Sequence, residues 1–249
     1  MTVEGDAIDT LRQWVRESRT ITVLSGAGIS TESGIPDFRS PTGIWADERL
    51  MDAMSKWYLE EQPEDFWTKY KYAFLGDNLL QAEPNGAHLA LAWLEEQGKR
   101  VQIYTQNIDG LHQKAGNKHV YEMHGSVRKA HCPICNRSYG LAHIMAEEVP
   151  HCTAYDVKGT DCHYILHPDA VLFGQEVRYF QEAAFSMMES DLVLIVGSSL
   201  TVYPVADLPK FAQQGRAKVA LVNLDETDFD GLAGLVIHGK AGEVLPALL

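Results

Sequence analysis

The sequence predicts an open parallel α/β sheet interrupted by two insertions. Three observations carry that prediction. Leu192–Val196 reads LVLIV, a continuous apolar run of the kind buried on both faces by helices. About six short apolar or β-branched segments alternate with stretches of helical spacing. The polar clusters fall just after those segments, at the carboxyl ends of strands, where ligands bind in such sheets.

In order, residues 6–18 place Ile8, Leu11 and Val15 at helical spacing. Thr20–Ser25 is a β-branched strand that ends in Gly26-Ala27-Gly28, the start of a nucleotide-binding strand–turn–helix unit. Residues 36–84 carry Pro36, Pro41, Pro63 and Pro84, with five tryptophans and tyrosines from Trp57 to Tyr72, and read as a helical insertion with loops. Residues 87–96 return to helix, and Val101–Thr105 and Val120–Met123 are strands. Residues 129–165 lack periodicity and hold every cysteine, so they form a small second insertion. Phe173-Gly174 lies in a short extended stretch. Val219–Leu224 and Leu235–His238 follow as strands, and residues 241–249 as a closing helix. The polar clusters are Gly26–Ser30, Gln106–Asp109, His124, Gly197–Ser199 and Asn223–Asp225.

Composition bounds the function classes. At 249 residues and 45% hydrophobic content the chain can bury a core without a disulfide scaffold. Acids outnumber bases, 34 to 21, giving a formal charge of -13. That disfavours a protein whose main task is gripping phosphates of nucleic acid, which needs a basic footprint. No apolar run is long enough to span a bilayer, and the start lacks a basic segment followed by an apolar one, so a cytoplasmic setting without membrane attachment is expected. In a reducing compartment four clustered cysteines point to metal more than to disulfides.

Each motif has a bland alternative. Gly26-Ala27-Gly28 would let backbone approach a pyrophosphate, with N–H donors from a following helix, but Thr31 stands where a third glycine completes the dinucleotide fingerprint; a tight turn is the other reading. Asn107 and Asp109 suit amide and ribose contacts, or Asx turns. Arg39 offers a guanidinium fork for phosphate, or a surface ion pair. His124 is one of ten histidines, placed at a strand's carboxyl end, and an imidazole with an ordinary pKa of about 6.5 suits a general base near neutrality. His112 reads as structural. Cys132-Pro-Ile-Cys135 is a sound half of a zinc knuckle. Sixteen residues then precede Cys152, and nine more precede Cys162. All four cysteines as ligands of one structural zinc is the first hypothesis; substitution by His131, His151 or His163, or a site that has lost its metal, are the alternatives.

Residues 26–39 read GAGISTESGIPDFR, 105–112 read TQNIDGLH, 124–125 read HG, and 197–199 read GSS after the apolar strand. In this order and spacing they closely resemble the sirtuin family of NAD-dependent protein-lysine deacylases, of bacterial type, over nearly the whole chain. The resemblance implies one catalytic domain over 1–249. Its Rossmann-like part would be 1–40, 85–128 and 166–249, the helical insertion 41–84, and the zinc-ribbon module 129–165. It implies NAD and one structural Zn2+, with acyl-lysine proteins as substrates. The acyl oxygen attacks the nicotinamide ribose, nicotinamide leaves, and a histidine then acts as base on a ribose hydroxyl; free lysine and O-acyl-ADP-ribose result. That histidine matches His124, with Asn107 beside it in catalysis. The NAD contacts match Gly26, Ala27, Gly28, Thr31, Asp37, Phe38, Arg39, Gln106, Asn107, Ile108, Asp109, Gly197, Ser198, Ser199, Asn223 and Asp225. Val171-Leu172-Phe173-Gly174 resembles the stretch that pairs with substrate backbone. Family members that prefer acidic acyl groups carry a Tyr-x-x-Arg pair; here Trp67 and Tyr70 occupy the matching places and the arginine is missing, so acetyl is expected first. The alternative activity is protein mono-ADP-ribosylation from the same NAD cleavage.

Overall fold

A computed structural model of the chain describes residues 3–37, 43, 47–155 and 162–249. The strands are β1 (Thr20–Ser25), β2 (Arg100–Thr105), β3 (Val120–Glu122), β4 (Lys129–His131), β5 (Ser138–Gly140), β6 (His167–Pro168), β7 (Leu192–Val196), β8 (Lys218–Asn223) and β9 (Leu235–His238). The helices are α1 (Val3–Glu17), α2 (Glu48–Ala53), α3 (Lys56–Glu61), α4 (Pro63–Phe74), α5 (Asp77–Leu80), α6 (Gly86–Glu96), α7 (Leu111–Lys114), α8 (Leu141–Ala146), α9 (Phe180–Glu189), α10 (Pro209–Ala212) and α11 (Ala241–Val244). The chain divides into two compact units, one of residues 1–37, 82–123 and 177–249, the other of 38–81 and 124–176.

The first unit is built on a parallel sheet in the order β3-β2-β1-β7-β8-β9. All six strands are those expected from the sequence. In β7, Leu192, Leu194 and Val196 join one core with α1, α6 and the C-terminus, while Val193 and Ile195 join another with α9 and α10. A strand buried on both faces needs no polar alternation, which is why LVLIV reads as it does. The strand order reverses between β1 and β7, which are direct neighbours paired Ser25 to Val196. A crevice forms at such a switch point, and it places the turns after β1 and β7 side by side.

Three local expectations are corrected. No regular helix follows the Gly26-Ala27-Gly28 turn; two 3-10 turns, Ala27–Ile29 and Thr31–Ser33, follow instead. Ser30, Thr31, Ser33 and Gly34 are poor helix formers, and Gly34 turns left-handed at φ 83°. The connection from β8 to β9 carries only a 3-10 turn, Asp230–Leu232. Residues 241–249 are split into α11 and a 3-10 turn, Pro246–Leu248, because Pro246 cannot donate to a continuing helix.

The second unit holds α2 to α5, α8 and a three-stranded antiparallel sheet in the order β5-β4-β6. Proline opens α4, whose Phe66, Trp67, Tyr70 and Phe74 form an aromatic core. Trp67 Nε1 donates to the Leu166 carbonyl at 2.8 Å, so the indole is buried with its one polar group satisfied.

Candidate functional site

In the first unit the turns after β1, β2 and β7 lock together. Gly26 N–H donates to Val196 O, Gln106 N–H to Ser25 O, and Gly28 N–H to Gly197 O. A Cβ on Gly28 would lie 2.8 Å from Gly197 Cα, and one on Gly197 would lie 2.2 Å from Ile29 N. Gly197 also needs φ +59°, a left-handed value. The glycines therefore serve first to let two turns pack backbone to backbone. Beyond them, Gln106 Nε2 donates to Ser198 Oγ at 2.9 Å, and Thr31 Oγ1 to Gly28 O at 3.0 Å.

Deeper in the crevice a polar chain runs through three buried side chains. Asn107 Nδ2 donates to Ser30 Oγ at 3.0 Å, and Ser30 Oγ donates to Asp109 Oδ2 at 2.8 Å. Leu111 N–H donates to Asp109 Oδ1 at 2.8 Å, so Asp109 also makes the Asx turn that opens α7. Asn107 Oδ1 is buried and has no hydrogen-bond partner among the described residues. A buried acceptor of this kind calls for a ligand hydroxyl, an amide or an ordered water. Ile108 is buried between the two polar side chains.

The sequence signal missed how this loop is anchored from below. His112 is buried and bonded with Ser25 Oγ at 2.9 Å, and its ring lies edge-on to His88 with centroids 4.9 Å apart. Burial holds His88 down to about 4, and burial together with His88 holds His112 well below the ordinary imidazole range. Both are neutral near pH 7 and act structurally, as expected for His112. His88 sits in the apolar helical pattern of residues 87–96, which concealed it.

The rim is more open. Ser199 Oγ meets Thr201 Oγ1 at 2.9 Å, and Asn223 Nδ2 donates to Asp225 O at 2.8 Å at the end of β8. Ser199 and Asp225 are exposed, while Ala27 and Asp37 are half-buried. Phe38 and Arg39 lie outside the described residues.

In the second unit His124 is half-buried and follows directly on the last residue of the first. Its carbonyl accepts the Val171 N–H at 2.8 Å. Phe173 is the partner of Ser55 in an isolated parallel bridge: Phe173 N–H donates to Met54 O and Lys56 N–H to Phe173 O, both at 3.0 Å. Leu172 and Gln175 close a turn that puts Gly174 at φ +87°. The 171–174 stretch is thus pinned along one edge by this unit's own backbone.

The four cysteines of this unit converge, with all Sγ atoms within 4.8 Å of one another. Cys132 and Cys162 sulfurs are 3.7 Å apart, and Cys135 and Cys152 sulfurs 3.5 Å. A tetrahedral zinc with bonds of about 2.3 Å separates its sulfurs by about 3.8 Å, so the set fits the metal. None of His131, His151 and His163 belongs to the group. The irregular spacing has a simple cause. Cys152 N–H donates to Tyr164 O and Cys162 N–H to Ala154 O, both at 2.8 Å, so an antiparallel ribbon brings the thiols together. The backbone N–H groups of Ile134 and Cys135 point at Cys132 Sγ, each at 3.4 Å. Burial disfavours a thiolate at Cys152, but donation from the Tyr139 hydroxyl at 3.1 Å and from Ala154 N–H outweighs it and brings this thiol to about 7. Burial and shared protons push Cys162 up to about 12.

Residues 26–204 match the model of the Sir2 family. The chain is 47% identical over 244 residues to the NAD-dependent protein deacetylase of Bacillus subtilis (strain 168), covering 97% of this chain and 98% of that one. It is 43% identical over 246 residues to NAD-dependent protein deacetylase 2 of Geobacillus kaustophilus (strain HTA426), covering 98% and 97%. Among solved structures, a Sir2 complex with deacetylated p53 peptide and 3′-O-acetyl ADP-ribose superposes with a TM-score of 0.85 at 36% identity, over 97% of this chain and 96% of that one. A complex of Sir2, p53 peptide and NAD+ gives 0.82 at 35% identity, over 96% and 95%. The matched span takes in the glycine turns, the 106–109 segment and the cysteine ribbon alike, and the chain belongs to the Sir2 family.

Proposed function

We propose that this protein is an NAD-dependent protein-lysine deacetylase that moves the acetyl group of an acetyl-lysine onto ADP-ribose, with release of nicotinamide and O-acetyl-ADP-ribose. The observation that carries this reading is the Asn107–Ser30–Asp109 chain in the sheet crevice, with the buried Asn107 Oδ1 left for a ligand donor. The names of the relatives and the peptide and acetyl-ADP-ribose bound in the Sir2 complexes support it. NAD, when bound, supplies an electrophilic ribose carbon and nicotinamide as leaving group.

The chain's own residues then divide the work. Gly26, Ala27, Gly28 and Thr31 with Gly197, Ser198 and Ser199 hold the diphosphate and neighbouring ribose. Asp37, Phe38 and Arg39 serve as further cofactor contacts, and Asn223 and Asp225 hold the far ribose. Gln106, Asn107, Ile108 and Asp109 orient the nicotinamide half, with Asn107 Oδ1 accepting from a ribose hydroxyl. His124 takes the proton of a ribose hydroxyl as general base. Val171, Phe173 and Gly174 guide the substrate backbone. Cys132, Cys135, Cys152 and Cys162 hold one zinc whose four positions are all filled, so it stabilises the ribbon and leaves no open coordination site for chemistry.

The chain reads as one catalytic domain with a Rossmann-like part, a helical insertion over 41–84 and a zinc module over 129–165. Four cysteines gathered as metal ligands suit a reducing cytoplasm. Among the described residues no helix is long and apolar enough to cross a membrane.

Acyl preference follows from α4. Trp67 and Tyr70 are both buried there, and the helix has no arginine. Its two lysines are engaged, Lys69 with Asp65 and the Tyr58 hydroxyl, Lys71 with the Glu147 carbonyl. A succinyl carboxylate thus finds no spare cation on this helix. Acetyl-peptide is expected to turn over at least about tenfold faster than succinyl-peptide at equal concentration, since an unpaired carboxylate is costly to desolvate; the reverse order would sink the assignment.

His124→Ala tests the reading. With adenine-labelled NAD, the wild type should place the label in soluble O-acetyl-ADP-ribose, and the variant should lose that product while NAD still binds. Label fixed on protein would instead favour ADP-ribosylation, and unchanged acetyl transfer would remove His124 as the base.

A further inference from the structure

We propose that Asp169 is a positioning residue for His124, holding the His124-Gly125-Ser126 turn so that the imidazole meets the ribose hydroxyl at a fixed place. The inference rests on the reading of His124 as general base and deepens it. Two neighbouring strands supply the frame: β4 and β6 pair antiparallel, Ala130 opposite Pro168. Past β6 the pairing continues toward His124 by single bonds. Asp169 N–H donates to Lys129 O at 2.9 Å, and Val171 N–H donates to His124 O at 2.8 Å.

Between those two bonds the partner chain turns, and backbone pairing cannot reach. Gly125 takes φ +69°, and a Cβ there would lie 2.1 Å from Asp169 O, so the two backbones touch. The Asp169 side chain fills the gap: its Oδ2 accepts the Ser126 N–H at 3.0 Å. Ser126 and Val127 are buried, which makes that N–H costly to leave unpaired. The turn bearing His124 is therefore held at His124 O, at Gly125 by contact, and at Ser126 N, all from residues 169–171. The Tyr70 hydroxyl is fully buried and is pushed up by burial and then by the Asp169 charge. A general base displaced by about 1 Å loses up to about a hundredfold in rate, so a carboxylate that fixes its backbone acts on chemistry without touching substrate.

The test compares Asp169→Ala, Asp169→Asn and His124→Ala in the full-length zinc-loaded protein. Two rates are read on acetyl-peptide: formation of O-acetyl-ADP-ribose, and exchange of labelled nicotinamide into NAD, which needs only the cleavage that precedes proton removal by His124. Asp169→Ala should lower kcat for acetyl transfer about tenfold to a hundredfold, with KM for NAD and the exchange rate within about twofold of wild type. Asp169→Asn keeps an oxygen that accepts the Ser126 N–H and should stay within about threefold on all readouts. If Asp169→Ala does not fold, Asp169→Ser, whose hydroxyl is too short to span the gap, replaces it with the same expectation. The proposal is overturned if the Ala or Ser variant transfers acetyl at the wild-type rate, if exchange falls in parallel, or if Asn fails to rescue. Undiminished acetyl transfer by His124→Ala overturns the functional reading itself, a result separate from any Asp169 outcome.

Discussion

The crevice turns of the first unit and the cysteine ribbon of the second solve one problem in opposite ways. Both must hold irregular backbone still. In the crevice, Gly28 and Gly197 do it by removing side chains, so that turns pack backbone to backbone above a sheet buried on both faces. In the ribbon, β4, β5 and β6 are only two or three residues long, and four thiols take over where apolar area is scarce. One device depends on the absence of atoms and the other on a metal. The two should therefore fail under different insults.

Removing zinc with a chelator should give the largest effect. Structural zinc contributes about 10 kcal/mol or more to small zinc-folded peptides. Hydrogen exchange should then show β4, β5 and β6 amides losing protection while those of β1 and β7 keep it. Equal loss in both places would show that the sheet leans on the metal. Gly197→Ala is the reciprocal break. It forces a Cβ against Ile29 N and a left-handed backbone on alanine, at a cost of at least about 2 kcal/mol. NAD affinity measured by calorimetry should fall by at least about thirtyfold with zinc content unchanged.

A graded effect, present only on the acid side, sharpens the comparison through pH. His88 is held neutral in the fold, down to about 4, against an ordinary value of 6.5. Below pH 6.5 the unfolded chain binds a proton that the folded state refuses, so stability is lost as pH falls from 6.5 toward 4. The shift corresponds to roughly 3 kcal/mol across that window. His88→Gln should flatten this part of the stability curve for the sheet unit. An unaltered acid limb in denaturant titrations would contradict the buried neutral state.

Much of this organisation is legible in the chain. Thr20–Ser25 and Leu192–Val196 announce themselves because burial on both faces leaves an uninterrupted apolar record. Gly26, Gly28 and Gly197 also stand out, yet their first task was hidden: a sequence shows where side chains are missing, not which backbone comes close. The absent helix after Gly28 was readable only once the weight of Ser30, Thr31, Ser33 and Gly34 against helix is set above the fingerprint. The Cys152–Cys162 spacing looked irregular because a ribbon pairing Cys152 with Tyr164 and Ala154 with Cys162 spans sequence distances that a knuckle motif does not. Asp169 carried no signal at all, since its role arises from a gap in pairing that exists only in three dimensions.

Acetyl transfer itself is tested most directly by stoichiometry. The zinc-loaded protein is given peptide carrying a labelled acetyl group on lysine, with and without NAD, and nicotinamide, acetyl-ADP-ribose and free acetate are counted. The account predicts one nicotinamide and one labelled O-acetyl-ADP-ribose per lysine freed, and no turnover without NAD. Labelled free acetate appearing in the absence of NAD would contradict it.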